Sequence, residues 1–109
     1  MTARNRHVPV TYWPPLGTDG FGRRTYAEPE LMMARWEDRE DLVVDTSGRE
    51  IKSTAIVYPD NIVEGAGYLA RGAFTTTNPL GVVGAREIVS AGQSSNLRGT
   101  RTIYKAWLK

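Results

Sequence analysis

The sequence predicts an all-β protein: a small barrel or sandwich of about six or seven short strands, with a projecting hairpin and long loops. Three observations carry that expectation. Runs of β-branched and aromatic residues recur along the chain and alternate in polarity with the period of a strand. Glycine, proline and aspartate sit between those runs as turn residues. A helical period is almost absent.

Taken in order, Val8-Pro9-Val10-Thr11-Tyr12-Trp13 is the first strand and stops at Pro14-Pro15. Residues 16–22, Leu16-Gly-Thr-Asp-Gly-Phe-Gly22, read as a turn or loop. Thr25 to Glu37 sets Leu31, Met33 and Arg35 opposite Met32, Ala34 and Trp36, which fits a strand covered on both faces for part of its length. Helix competes there, because Glu, Leu, Met, Ala and Arg are good helix formers. Leu42-Val43-Val44 and the run from Ile51 to Tyr58 flank Asp45-Thr46-Ser47-Gly48, a hairpin whose turn opens on Asp and closes on Gly. Pro59 ends its second strand. Gly67 to Gly72 is a short strand between glycines, and residues 73–84 with Thr75-Thr76-Thr77-Asn78-Pro79 read as an exposed loop. Ala85 to Ala91 alternates Arg86, Ile88 and Ser90 with Glu87, Val89 and Ala91. In the last strand Thr102, Tyr104, Ala106 and Leu108 oppose Arg101, Ile103, Lys105 and Trp107.

The chain has 109 residues, no cysteine and one histidine, so it is expected to form a single domain, residues 1–109, with a modest core. A flexible arm is expected over about residues 1–7. Oligomerisation would bury surface that a lone small domain leaves wet. Disulfides and thiolate metal sites are excluded, and His7 alone cannot build a histidine-rich one. No apolar run approaches the ~20 residues of a membrane-spanning helix, and the N-terminus shows no apolar signal-peptide core.

Charge is strongly segregated. Through residue 24, Arg4, Arg6, Arg23 and Arg24 face Asp19, a net +3. From Thr25 to Glu64 ten acids, including Glu37, Asp38, Glu40, Asp41, Asp45 and Glu50, face Arg35, Arg39, Arg49 and Lys52, a net −6. From Gly65 onward Arg71, Arg86, Arg98, Arg101, Lys105 and Lys109 face Glu87, a net +5. Such asymmetry suits a subunit that docks head-to-tail or between two different partners. The plainer alternative is a solvated surface whose charges mix on folding.

Catalysis needs a nucleophile, base or metal held in place, and little in the sequence offers one. Glu37-Asp38 and Glu40-Asp41 could pair as acid and base, but adjacent acids beside a polar turn are usually solvated surface. Gly17-x-x-Gly20-x-Gly22 before Arg23-Arg24 lacks the strand–loop–helix order and the Lys-Ser/Thr of a phosphate loop. A non-enzymatic protein without cofactor or metal is expected. Arg98, Arg101, Lys105 and Lys109 beside Tyr104 and Trp107 interleave cations and aromatics as single-strand nucleic-acid binders do. An OB- or SH3-like barrel binding nucleic acid or a peptide is therefore the alternative function.

The order of several short strings resembles the head–tail joining proteins of tailed bacteriophages, the head-completion, stopper or neck family. The strings are Val10-Thr11-Tyr12-Trp13, Gly17-Thr-Asp-Gly-Phe-Gly22, Ala34-Arg35-Trp36-Glu37-Asp38 and Asp45-x-x-Gly48-x-Glu50-x-x-Ser53. They continue with Ala55-x-Val57-Tyr58, Gly67-Tyr68-Leu69 with Gly72, Leu97-x-Gly99-Thr100 and Lys105-Ala106-Trp107-Leu108, spanning nearly the whole chain. One departure is Ala66 before Gly67-Tyr68, where the family pattern suggests an acid. The resemblance implies a β-barrel subunit in a homo-oligomeric ring of six or twelve copies in the virion neck, assembled in the bacterial host cytoplasm. Its partners would be portal or adaptor proteins, tail-completion or tail-tube proteins, and packaged double-stranded DNA passing through the ring, with no membrane. The segment from Glu37 to Lys52 would project into the channel, presenting Glu37, Asp38, Glu40, Asp41, Asp45 and Glu50 to the duplex. Acidic walls repel phosphates, so DNA slides rather than sticks. Arg4, Arg6, Arg23, Arg24, Val43, Val44, Ile51, Arg101 and Lys105 are the candidate contacts to neighbouring subunits or partners. Apolar Val43, Val44 and Ile51 on a projecting hairpin would be a liability for a monomer.

Overall fold

The computed structural model describes residues 7–44, 47–95 and 102–109. Among the described residues ten strands form: β1 (Val8–Trp13), β2 (Pro15–Thr18), β3 (Arg24–Tyr26), β4 (Glu30–Glu37), β5 (Asp41–Val44), β6 (Glu50–Ser53), β7 (Ala55–Pro59), β8 (Tyr68–Arg71), β9 (Arg86–Ser95) and β10 (Thr102–Leu108). Six of them close into an antiparallel barrel in the order β1-β4-β7-β10-β9-β8. The remaining four make two separate two-stranded sheets, β2–β3 and β5–β6. Closure removes free edges from the barrel, which short strands could not otherwise protect.

Alternation decides which face of each strand enters the barrel. Val10 and Tyr12 of β1, Ala34 of β4, Ala55 and Val57 of β7, Leu69 of β8, Ile88 of β9, and Ala106 and Leu108 of β10 form one core cluster with Val63. Met32, Trp36, Val8 and Ala91 pack against it. Tyr12 inserts its ring and keeps its hydroxyl satisfied, accepting the Glu64 N–H at 2.8 Å; burial pushes that phenol's pKa up. The last strand behaves as its pattern implies: Ala106 and Leu108 are buried while Ile103 on the alternate face is exposed.

The loop of residues 72–85 is more than the exposed polar segment the sequence suggests. It folds back as a strap over the outer face of β1. The Thr11 hydroxyl donates to the Gly72 carbonyl at 2.7 Å and accepts the Phe74 N–H at 3.1 Å. Trp13 donates its indole N–H to the Thr76 carbonyl at 2.8 Å, and its ring lies 6.1 Å from that of Phe74. A 3-10 turn, Pro79–Gly81, is capped by the Asn78 side chain and buries Pro79. As a result β1 is covered on both faces, and Thr11 and Trp13 are as buried as the core.

Other expectations need correction. The helix that competed over residues 25–37 does not form. The single strand foreseen there is two, β3 and β4, separated at residues 27–29, where Pro29 has no N–H to give a ladder. Pro15, foreseen as a strand stop, and residues 16–18, foreseen as part of a turn or loop, instead form β2 and pair with β3, and Asp19 organises the turn by accepting the N–H groups of Phe21 and Arg23. The long second strand of the later hairpin is broken at Thr54 into β6 and β7. The Ser53 hydroxyl, fully buried, lies 2.9 Å from both the Ala55 and Leu108 carbonyls, and the Thr54 N–H also reaches Leu108. That anchor hands the chain from the outlying hairpin to the barrel. Ala66 adopts φ 73° and gives its N–H to the Ile88 carbonyl.

Candidate assembly site

The β5–β6 hairpin pairs as the sequence implies, with Val43 opposite Ile51, Leu42 opposite Lys52 and Val44 opposite Glu50. Its two faces differ. Val43 and Ile51 are half-buried on the side turned to the barrel, where Ile51 lines a groove with Val89 of β9. Leu42 and Val44 project outward, 66% and 58% exposed. The expectation of three exposed apolar residues thus holds for Val44 alone. Leu42, not singled out from the sequence, takes the place of the other two; its spacing of two from Val44 was the signal.

The acids at the hairpin's base are not bare. Glu37 pairs with Arg35 at 3.0 Å and Arg39 at 3.7 Å, and Glu40 with Lys52 at 3.1 Å. Asp41 accepts the Trp107 indole N–H at 3.3 Å. Asp38 is the most connected, accepting from the Trp36 indole at 3.0 Å and from Arg71 at 2.7 Å, with Arg86 at 3.8 Å. The Trp36 N–H, then the Arg71 and Arg86 guanidiniums, hold its carboxyl below the usual carboxylate range. Arg71 also lies over the Trp36 ring at 4.7 Å. This cluster ties the ends of β4 and β8 to the start of β9. Glu50 is exposed opposite Val44, and Asp45 lies outside the described residues.

Among the basic candidates, Arg4, Arg6 and Arg101 lie outside the described residues. Arg23 pairs with Asp19 at 3.5 Å and lies over the Phe21 ring, which is itself 84% exposed. Arg24 bonds Glu87 across from β3 to β9, and that carboxylate raises its pKa. Lys105 lies 4.6 Å from the Trp107 ring and 5.7 Å from that of Tyr58, with Arg35 over Tyr58 at 4.3 Å. Ring faces on β7 and β10 are therefore already occupied by the chain's own cations.

The sequence-level charge blocks are partly neutralised in space, because the late basic segment supplies Arg71 and Arg86 to the early acids. Gly17, Gly20 and Gly22 belong to a strand–turn–strand and precede no helix. Among the described residues no group of three or more His, Asp or Glu side chains is placed to hold a metal, and no helix is long and apolar enough to cross a membrane. No protein-family model, curated protein or solved structure matches the chain.

Proposed function

We propose that this chain is a non-enzymatic subunit of a bacteriophage neck, forming a homo-oligomeric ring that joins head to tail and helps retain or conduct packaged DNA. The observation that carries the reading is the β5–β6 hairpin: a two-stranded sheet outside a closed barrel, with Leu42 and Val44 bare on its outer face. Two strands alone are marginal in water, and exposed apolar strands invite pairing, so such an element makes sense when a neighbour covers it. The order of short strings along the sequence supports the same reading.

The acidic lining foreseen for the channel takes a narrower form. Glu37, Asp38 and Glu40 are charge-paired, so any repulsive field toward DNA from the described residues rests on Asp41 and Glu50 rather than on the whole segment. The alternative, a barrel that binds nucleic acid or peptide, draws on the Arg35–Tyr58–Lys105–Trp107 face. Rings faced by their own cations offer less surface for base stacking, which places this reading second.

Cryo-electron microscopy of a virion neck containing the chain tests the proposal. A ring of this barrel between portal and tail is the expected result. A neck without such a ring, together with salt-sensitive DNA binding by the isolated chain, would overturn it in favour of the alternative.

A further inference from the structure

The barrel seam between β7 and β10 is paired along only part of its length. Ala106, Trp107 and Leu108 pair with Val57, Ile56 and Ala55, and the ladder stops there. The rest of β10, Thr102–Lys105, continues with β9 alone, in register with Gly92–Ser95. On the other side β7 has little to give it. Pro59 has no N–H, and the Asp60 N–H is turned to β4, where it bonds the Met33 carbonyl at 2.9 Å. Backbone groups alternate in direction along a strand. Two of the residues from Thr102 to Lys105 therefore aim N–H and C=O at β9, and the other two aim theirs into the fork between β7 and β10. Among the described residues no strand pairs with that edge. A groove of about 370 Å³ opens in the fork, lined by Tyr58, Pro59, Asp60, Thr102 and Tyr104, and by His7. His7 is the first described residue, its imidazole 3.7 Å from the Asp60 carboxylate, and six residues precede it.

We propose that this fork is a strand-acceptor site whose occupant is the chain's own N-terminal segment, residues 1–6, added along the free edge of β10. The starting point of the described chain selects that occupant. A segment tethered at the groove wall has a higher effective concentration there than any strand arriving from solution. Its length fits: six extended residues span about 20 Å, against about 13 Å for the four-residue edge. Its composition fits as well, because residues 1–6 contain no proline and can donate N–H groups to a ladder. Backbone pairing places no demand on side-chain charge, so Arg4 and Arg6 can stay in water. The added strand completes the seam that β7 leaves open. It also covers an edge that would otherwise template pairing with another molecule. The inference concerns the single chain and stands apart from the neck reading.

Residue-resolved amide exchange on the dilute full chain tests it. Deleting residues 2–6 is expected to speed exchange at the two fork-facing amides of Thr102–Lys105 by about tenfold or more, while the two facing β9 keep their rates. Arg4→Pro with Asn5→Pro should do the same, because one of two neighbouring prolines must remove a ladder donor. Arg4→Gln with Arg6→Gln should leave all four rates unchanged. Equal rates in the full and shortened chains would overturn the site. So would a loss of protection that strikes the β9-facing amides equally, since that is loosening of the whole β9–β10 ribbon. Protection that grows with protein concentration would overturn the chain's own segment as occupant and assign the fork to a second copy.

Discussion

The outer face of β1 and the outer face of the β5–β6 hairpin both carry large apolar side chains and end in opposite states. On β1 the strap of residues 72–85 covers Thr11 and Trp13 until both are essentially inaccessible. On the hairpin nothing among the described residues covers Leu42 or Val44, and more than half of each side chain remains in water. The difference teaches where the chain spends its own segments. It completes the barrel wall internally and leaves the hairpin's outer face bare, the face that the proposed assembly would cover. Stability should therefore reside in the first region and association in the second, and substitutions can separate the two.

The largest effect is expected at Trp13. Trp13→Ala removes a fully buried ring, its contact with Phe74 and the bond to Thr76, and should cost about 3–5 kcal/mol in denaturant unfolding. A loss under about 1 kcal/mol would show that the strap does not hold β1, and the contrast with the hairpin would collapse.

Two smaller substitutions probe the same wall. A Cβ at Gly67 would stand 2.8 Å from the Trp13 carbonyl oxygen and 2.9 Å from Tyr12 Cε1. Since backbone must yield, Gly67→Ala is expected to cost about 1–3 kcal/mol. Thr11→Val keeps the shape but leaves the Gly72 carbonyl and the Phe74 N–H without their partner, for about 1–3 kcal/mol by the same measurement. If Thr11→Val were neutral, water must reach those groups, and the strap would be a loose cover.

How much of this was legible in the sequence differs between the two regions. The all-β class, β1, β8 and the pairing of β5 with β6 follow from alternation and turn residues that lie next to one another in the chain. The strap does not, because its bonds join residues some sixty positions apart, as Thr11 to Gly72 does, and no local pattern marks them. The break at Thr54 is equally hidden: Ser53 reads as an ordinary polar strand residue until Leu108 arrives to bond it. At the candidate site the acid-rich stretch was visible and mixing of its charges was the plainer alternative, but the partners were not legible. Asp38 meets Arg71 from 33 positions away, a pairing set by barrel closure rather than by spacing. Arg4, Arg6, Asp45 and Arg101 fall outside the described residues.

The Asp38 cluster lies between the two regions and should give an intermediate-to-small effect with a defined pH dependence. The folded-state carboxyl is depressed, so its contribution is present above the ordinary carboxylate pKa and is lost as pH falls through the folded value. Its side chain is 64% exposed, so screening limits the contribution to about 1 kcal/mol or less. Asp38→Asn should lower stability at neutral pH and flatten the acid limb of the stability curve. An unchanged acid limb would mean that the cluster is a surface coincidence and does not clamp the barrel end.

The smallest effect on stability is expected where the proposal places the most function. Leu42→Ser with Val44→Ser alters side chains already facing water, so unfolding free energy should move by no more than about 0.5 kcal/mol. The same variant should be more soluble than the parent and should fail to enter a neck ring if a neighbour covers that face. The pairing of Leu42 with Lys52 and of Val44 with Glu50 keeps a serine compatible with the strand, so lost assembly could not be blamed on a lost hairpin. A double variant that unfolds easily would place the hairpin with β1 as part of the protein's own support. One that folds and assembles like the parent would leave its apolar face without the partner that the comparison with β1 requires.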